Sequence, residues 1–214
     1  MSTRQTDDRD RVLAGFDVSR ETSDKLALLA AELARWQSIK NLVGPATLDE
    51  VWTRHIADSL QLLSLAPDAR TWLDLGSGAG FPGLVVAIAG AERGLAVDLV
   101  ESNDRKCAFL RHVARATGVQ ARVHAARLET IVPGFVRRLD IVSARALASL
   151  DQLLAWTEPL LTTGTVGLFP KGRDLAAELT QARRSWTFEA EILPSRTDSA
   201  AGIVRVTSLS RAAS

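Results

Sequence analysis

Residues 73–83 read Leu-Asp-Leu-Gly-Ser-Gly-Ala-Gly-Phe-Pro-Gly. They include the end of the short apolar run Thr71–Leu75 and the start of a longer one, Pro82–Ala91. Glycine lets a backbone turn sharply and approach its neighbours closely. Proline suits the first turn of a helix, where its missing N–H costs nothing. The stretch therefore predicts a strand, a tight turn and a helix, the unit that opens a doubly wound α/β sheet.

Beyond this stretch, short apolar runs bounded by turns alternate with helical stretches, which predicts a parallel sheet covered on both faces. The predicted strands are Thr71–Leu75, Leu95–Val100, Arg122–Ala125, Asp140–Ala144 and Val166–Phe169. The predicted helices are Pro82–Ala91, Asp104–Thr117, a short one near Glu129, Leu150–Leu160 and Asp174–Arg184. Two further strand-like runs, Trp186–Leu193 and Ile203–Leu209, have no helix between them and predict a terminal antiparallel hairpin. The fold class is a Rossmann-like, mostly parallel seven-stranded sheet.

The part before the sheet reads differently. Residues 1–20 are expected to form a loose polar arm, and residues 21–65 a helical extension. Asp24–Lys40 carries leucines at helical spacing, and a second helix is expected over about Leu48–Leu65, opened by a capping box of Thr47 and Glu50. Residues 66–214 would form the α/β core, with 1–214 as one domain.

Composition excludes several classes of protein. The 214 residues are 46% hydrophobic and 24% charged, as in a globular domain, and the net charge of +1 gives no global basic excess. The lone Cys107 cannot form an internal disulfide, and the three histidines lack metal-ligand spacing, so no metal is expected. The longest apolar run, Leu84–Ala91, is too short to span a bilayer, and the first twenty residues lack a signal-peptide core. We expect a cytoplasmic monomer.

The ligand of the glycine stretch can be narrowed. Gly78–Gly83 satisfies the dinucleotide pattern G-x-G-x-x-G, but the turn begins earlier, at Gly76, and Asp74 at the strand end would repel a pyrophosphate. A carboxylate there could instead bind a cationic ligand. The pattern Asp-x-Gly-x-Gly-x-Gly is typical of methyltransferases that use S-adenosylmethionine, which has a cationic amino-acid end and no phosphate. We therefore predict an S-adenosylmethionine site that includes Gly76 and Gly78.

Residues at the next two strand ends complete this predicted site. Glu101 ends the second strand about 20 residues past the turn, where an acid takes the ribose hydroxyls of a nucleoside, whereas Asp98 alternates away. The third strand ends near Leu128 and Glu129, which would pack on the adenine ring and read its edge.

Residues that the chain lacks disfavour two classes of methyl acceptor. Carbon 5 of a pyrimidine needs a cysteine nucleophile, and Cys107 falls inside a predicted helix. Exocyclic amines are usually held by an Asn/Asp-Pro-Pro-Tyr/Phe loop, but the chain reads Ile-Val-Ser-Ala-Arg-Ala-Leu over 141–147 and has no tyrosine. A ring nitrogen such as guanine N7 needs no base before attack, so no catalytic residue is assigned.

Five segments of the chain resemble the glucose-inhibited division protein B family, the bacterial guanine-N7 methyltransferases of small-subunit ribosomal RNA. They are Asn41-Leu-Val-Gly44, Arg54-His-Ile-Ala-Asp-Ser-Leu60, Asp74-Leu-Gly-Ser-Gly-Ala-Gly-Phe-Pro-Gly83, Ser143-Ala-Arg-Ala146 and Pro170-Lys-Gly172. The resemblance runs from about residue 25 to the end. It implies a donor held at Gly76, Phe81, Leu128, Glu129 and Arg145, and one guanine of 16S rRNA as the acceptor. The chain departs from the family pattern in reading Ser-Ala-Arg-Ala for Ser-Arg-Ala and in placing a proline before Lys171.

Three basic clusters offer contacts for rRNA or the small ribosomal subunit. They are Arg105, Lys106, Arg111 and Arg115; Arg137, Arg138 and Arg145; and Lys171 and Arg173. The last two clusters lie near the ligand edge and are favoured as phosphate contacts, whereas the first is interpreted as a solvated helix face. His55 and Lys171 are the candidate substrate residues. With no aromatic stripe, we expect recognition of RNA by shape.

Three other functions stay open on the residues alone. A methyltransferase with the same donor site could act on a small molecule or a protein. A non-enzymatic module could have the same glycine turn and bind a nucleotide without catalysing a reaction. An NAD-dependent oxidoreductase is disfavoured, because the chain has no Tyr-x-x-x-Lys pair. The sequence also leaves open which guanine is modified, and whether naked rRNA or an assembled particle is the substrate.

Overall fold

Seven strands form one sheet in this computed structural model, which describes residues 3–37, 48–135 and 138–212. The strands are β1 (Thr71–Leu75), β2 (Ala96–Glu101), β3 (Ala121–Ala125), β4 (Ile141–Ala144), β5 (Val166–Lys171), β6 (Trp186–Pro194) and β7 (Gly202–Arg211). Their order across the sheet is β3-β2-β1-β4-β5-β7-β6. The first five are parallel, and β7 is antiparallel to both β5 and β6. The predicted fold class is confirmed, including the terminal hairpin.

Eight α-helices cover the sheet within the described residues. They are α1 (Thr3–Leu13), α2 (Arg20–Gln37), α3 (Ala57–Ser64), α4 (Gly83–Ala89), α5 (Asp104–Thr117), α6 (Leu128–Ile131), α7 (Leu150–Leu161) and α8 (Leu175–Ala182). Shorter helical turns occupy Val51–Ile56, Ala91–Arg93 and Val132–Gly134.

Two hydrophobic clusters lie on opposite faces of the sheet, because successive residues of a strand point to opposite sides. Trp72 and Leu99 belong to a cluster shared with α2, α3, α4 and α5. Leu73, Leu75 and Val100 belong to the other, which is shared with α6, α7 and α8. The sheet is therefore the middle of three layers.

The N-terminal part differs from the prediction in two respects. The expected loose arm is wrong for Thr3–Leu13, which is helical: Val12 and Leu13 are buried in the core cluster of α2 and α3. Apolar burial at the end of α1 thus outweighs its polar beginning. The second predicted helix starts as a π-helical turn, Val51–Ile56, before α3.

Two sequence features of this part cannot be compared with the structure. Thr47 of the expected capping box and the segment Asn41–Gly44 lie outside the described residues. Glu50, the other half of the box, makes no side-chain capping hydrogen bond.

Strand register brings the ends of β1, β2, β3 and β4 to one edge of the sheet. Leu75, the last residue of β1, is paired with Val100 of β2 and with Ala144 of β4. Glu101, the last residue of β2, is paired with Ala125 of β3. The residues that follow these ends form the carboxyl edge, where open α/β sheets bind their ligands.

Candidate functional site

The glycine turn lies at the carboxyl edge and packs against the loop that follows β4. Gly76 has a φ of +62°, a left-handed conformation that other residues rarely adopt. A Cβ on Gly76 would lie 2.5 Å from Cδ1 of Leu147 in the β4–α7 loop. Position 76 therefore requires glycine both for its backbone conformation and for space.

Asp74 supports this turn from inside the protein. Its side chain is fully buried, and its carboxylate accepts hydrogen bonds from the Gly83 amide (3.1 Å) and the Ser143 hydroxyl (2.8 Å). The indole N–H of Trp72 donates to the same hydroxyl at 2.8 Å. Burial raises the pKa of Asp74 to about 6, against the lowering effect of these hydrogen bonds. The expectation that Asp74 meets a cationic ligand is wrong, because its oxygen atoms face the protein interior.

Glu101 holds the other side of the turn. One carboxylate oxygen accepts from the Gly78 amide at 2.9 Å, and the second accepts from the Asn103 amide at 2.8 Å. Asn103 in turn caps α5 through its side chain. The carboxylate is therefore fixed beside the turn, where the sequence placed a ribose-binding acid, and it already takes the amide of Gly78.

Leu128 and Glu129 open α6 just after β3. The Ala126 amide donates to the Glu101 carbonyl at 3.1 Å, which ties this segment to the end of β2. The Leu128 side chain is buried in the cluster that contains Val100, whereas Glu129 is exposed. The two residues thus reach the same edge as Glu101, with only Glu129 open to solvent.

Arg145 follows β4 and joins the edge of the sheet to the helical segment before α3. One guanidinium nitrogen donates to the Asp58 carboxylate (2.9 Å) and the Arg54 carbonyl (2.7 Å), and the other contacts Nδ1 of His55. The guanidinium carbon also lies 6.0 Å from the ring centre of Phe81 in the glycine turn. Arg145 therefore links the glycine turn to α3.

His55 lies between Arg145 and the glycine turn. Its ring is stacked on Phe81, with ring centres 4.8 Å apart and planes inclined by 21°. Burial, with the charges of Arg145 and Arg54, lowers the pKa of His55 to about 4, so the ring is neutral at pH 7. A guanidinium only donates hydrogen bonds, so Nδ1 accepts and the proton lies on Nε2. In the described part of the chain this buried Nε2 has no hydrogen-bond partner.

Lys171 at the end of β5 is paired within the protein. Its ammonium group donates to the Ala148 carbonyl (2.6 Å) and the Glu178 carboxylate (2.7 Å). The same carboxylate oxygen accepts from the Leu150 amide at 2.6 Å. Lys171 and Glu178 thus fasten both ends of the loop segment 148–150, which follows Leu147 at the glycine turn.

A cavity of about 790 Å³ opens beside these residues. The segment before α3, the β4–α7 loop, the end of β5 and the β6–β7 connection all contribute to its wall, with His55, Asp58, Arg145 and Lys171 among the lining residues. We call it the carboxyl-edge pocket. Every one of the four side chains faces it from an element that also touches the glycine turn or its supporting loop.

Sequence reasoning missed the contribution of the β6–β7 connection to this wall. The Thr197 hydroxyl contacts the Asp58 carboxylate, and the Arg196 amide donates to the Gln61 side chain at 2.9 Å. The helical spacing of Asp58 and Gln61 three residues apart signalled a common face of α3, but nothing local identified its partner, which lies more than 130 residues away.

Cys107 is buried and its thiol contacts the Glu101 carbonyl, as expected of a packed residue.

Neither a membrane helix nor a metal cluster is found in the described ranges. No helix there has the length and apolar character needed to cross a bilayer. No group of three or more His, Cys, Asp or Glu residues is arranged there to hold a metal ion.

Comparison with known proteins gives close relatives over almost the whole chain. A family model described as GidB, rRNA small subunit methyltransferase G, matches residues 22–202. A ribosomal RNA small subunit methyltransferase G of Methylobacterium sp. (strain 4-46) is 67% identical over 205 residues, which cover 95% of this chain and 96% of the relative. The protein of that name from Parvibaculum lavamentivorans is 50% identical, over 96% of this chain and 91% of the relative.

Solved structures of low identity share the fold. Cofactor-bound Rv0187 from MTB is 18% identical with a TM-score of 0.60, over 86% of this chain and 89% of that one. A mutant of MtNAS in complex with S-adenosylmethionine is 15% identical with a TM-score of 0.58, over 88% of this chain and 72% of that one. At these identities the likeness is one of architecture.

Proposed function

Since this chain belongs to the GidB family of rRNA small subunit methyltransferases G, we propose that it transfers a methyl group from S-adenosylmethionine to N7 of a guanine in 16S rRNA. The family membership confirms the resemblance of the sequence motifs. An rRNA substrate agrees with the expected cytoplasmic location, and we propose that the enzyme works as a monomer.

The observation that best supports this donor is the hydrogen bond from the Gly78 amide to Glu101. A pyrophosphate bound at such a turn needs free backbone amides and no nearby carboxylate. Here Glu101 occupies the Gly78 amide and places a carboxylate directly beside the turn. A nucleoside with a cationic tail and no phosphate fits these groups, because Glu101 can accept from ribose hydroxyls.

We propose that the donor contacts the residues gathered at the carboxyl edge. They are Gly76, Gly78, Phe81, Glu101, Leu128, Glu129 and Arg145. Glu101 would orient the ribose, and the segment of Leu128 and Glu129 would flank the adenine. Bound there, the donor supplies an electrophilic methyl group on its sulfonium.

The acceptor guanine would enter the carboxyl-edge pocket, because that cavity adjoins the glycine turn through His55 and Arg145. N7 carries an in-plane lone pair, so alignment with the methyl group is the main requirement, and alignment alone can supply several kcal/mol. His55 is neutral at pH 7 and its Nδ1 accepts from Arg145. It would therefore position Arg145 and Phe81 rather than take a proton, and we assign no catalytic base.

The proposal is tested in two steps. Calorimetry should show binding of S-adenosylmethionine and none of NAD. Purified protein should then methylate 16S rRNA or small subunits taken from cells that lack it, with the product mapped by chemical cleavage at N7-methylguanine. Donor binding without any rRNA product would favour the alternative acceptor, a small molecule or a protein. Binding of NAD instead of the donor would overturn the assignment of the turn.

A further inference from the structure

We propose that a second, basic cleft at the opposite edge of the sheet binds rRNA phosphates, as an anchor separate from the carboxyl-edge pocket. This proposal rests on the proposed rRNA substrate. The cleft has a volume of about 930 Å³ and lies between the end of α4, the second half of α5 and the beginnings of β2 and β3. Its basic residues are Arg111, Arg115 and Arg122, and we call it the amino-edge cleft.

The three guanidinium groups are available for a ligand. All three side chains are exposed. Arg111 donates one hydrogen bond, to the Val123 carbonyl at 3.3 Å, and retains most of its five N–H groups. Among the described residues, no hydrogen-bond or ion-pair partner is found for the guanidinium groups of Arg115 and Arg122. Free guanidinium groups match phosphate oxygens in geometry and charge.

Among the described residues that line the cleft, no exposed carboxylate offsets this charge. Within the described part of the chain, Asp98 is the one acidic residue that lines the cleft. Asp98 is only 2% exposed, and its carboxylate is hydrogen-bonded to His124 at 2.7 Å. By contrast, two of the five basic residues favoured from sequence as phosphate contacts, Arg145 and Lys171, are each paired with an acid inside the protein, and a third, Arg137, lies outside the described residues. The amino-edge cleft thus offers three exposed arginines to a ligand, whereas Arg145 and Lys171 at the carboxyl edge are held by internal ion pairs.

The position of the cleft determines what it can bind. Helix α5 begins just after Glu101 at the carboxyl edge and ends at the cleft, and its 14 residues span about 21 Å. One nucleotide cannot bridge that distance. A ligand that fills both places must be a large polyanion, and folded rRNA recognised by its phosphates and shape has this property.

Protection of the sheet edge is the competing explanation for these charges. Edge strands often carry charged residues that prevent pairing with other chains, and β3 is an edge strand. This explains Arg122, which lies on β3. It does not explain Arg111 and Arg115, which lie on α5 and extend the same cleft.

The test compares two variants that lose equal charge. One carries Arg111→Gln, Arg115→Gln and Arg122→Gln. The control carries Arg20→Gln, Arg183→Gln and Arg184→Gln, three exposed arginines outside both sites. Binding of 16S rRNA is measured against salt concentration for each protein. Calorimetric binding of S-adenosylmethionine checks that each variant is folded.

The cleft variant should lose about two to three units of slope in log K against log salt, about 0.7 to 0.9 per phosphate contact removed. Its KM for rRNA should rise at least about tenfold, with kcat and donor affinity unchanged. An equal effect in the control, or none in the cleft variant, would overturn the proposal. Arg115→Glu alone provides a second measurement should the triple variant fail to bind donor. Absence of rRNA methylation by the unmodified protein would instead refute the proposed function.

Discussion

Gly76 illustrates how one residue couples two loops. Its left-handed backbone and the nearby Leu147 side chain both exclude a larger residue. Gly118 has a similar φ of +68° but lies in open space. A substitution at Gly118 would therefore cause backbone strain alone, whereas one at Gly76 would cause both backbone strain and a steric clash.

We predict that Gly76→Ala weakens S-adenosylmethionine binding at least about tenfold, because the new methyl group would displace Leu147 and reshape the turn. Gly118→Ala should cost about 1–2 kcal/mol in unfolding free energy, the backbone penalty of a left-handed alanine, and leave donor affinity unchanged. Calorimetry and urea denaturation measure the two effects. Equal donor affinity in both variants would contradict the packing role of Gly76.

Asp74 predicts a pH-dependent stability difference. Its pKa is raised to about 6 in the folded protein, above its ordinary value of 3.8. The folded state therefore binds this proton more tightly, so the contribution to stability is greatest at low pH and is lost as pH rises through 6. Asn at this position stays neutral and can still accept from the Gly83 amide.

Relative to the unmodified protein, Asp74→Asn should therefore gain stability between pH 4 and pH 7, by up to about 3 kcal/mol for a shift of this size. Urea denaturation at several pH values measures the difference between the two proteins. A difference that stays flat with pH would mean that Asp74 is not held with a raised pKa.

At the scale of an element, the β4–α7 loop receives its shape from β5 and α8. Lys171 and Glu178 fasten residues 148–150, while Ala146, just before Leu147, has a left-handed φ of +52°. Lys171 is buried in this ion pair, whereas the Glu178 side chain is partly exposed. We therefore propose that Lys171, a candidate substrate residue, acts as a positioning residue for the loop beside the glycine turn.

We predict that Lys171→Met raises the Kd for S-adenosylmethionine about tenfold, a loss of about 1.4 kcal/mol, since Leu147 would lose its support. The slope of rRNA affinity against salt should not change. Lys171→Arg should restore part of the donor affinity, and Arg173→Met, at an exposed neighbouring position, should leave it unchanged. A lower salt slope with normal donor binding would show instead that Lys171 contacts phosphate.

The bounds of the helices and strands show which parts of the fold local sequence patterns can predict. β1 and α5 have the predicted bounds, because apolar periodicity and the Asn103 and Gly118 caps are local signals. The start of α3 and the course of α1 depend on packing between distant segments, which local patterns do not contain. The same limit applies to the site. The glycine turn was predictable, whereas the internal pairing of Asp74 and Lys171 required the structure.

For the molecule as a whole, the N-terminal helices and the sheet share one hydrophobic cluster. Leu26 and Leu33 of α2 lie in the same buried group as Trp72 of β1 and Leu99 of β2. Arg145 and Arg196 add polar contacts between α3 and the end of the sheet. We therefore propose that residues 21–65 and 66–214 fold together as one domain.

This proposal predicts a single cooperative unfolding transition. Differential scanning calorimetry should give a calorimetric enthalpy equal to the van't Hoff enthalpy. Fluorescence of the buried Trp52 and Trp72 should report the same midpoint, since one lies before α3 and the other in β1. Two separate transitions would show that the helical extension is an independent unit.

The position of β7 between β5 and β6 has a consequence for the timing of synthesis. β5 and β6 leave the ribosome before β7, yet within the described sheet β6 pairs with no strand other than β7. Until β7 is made, β5 and β6 both present open backbone edges of the kind that recruit other chains. The strands that carry the glycine turn have all been made by then. The nascent chain can thus form the glycine turn before the β6–β7 connection completes the wall of the carboxyl-edge pocket. A delay in translation between β6 and β7 would lengthen the time during which the open strands can aggregate.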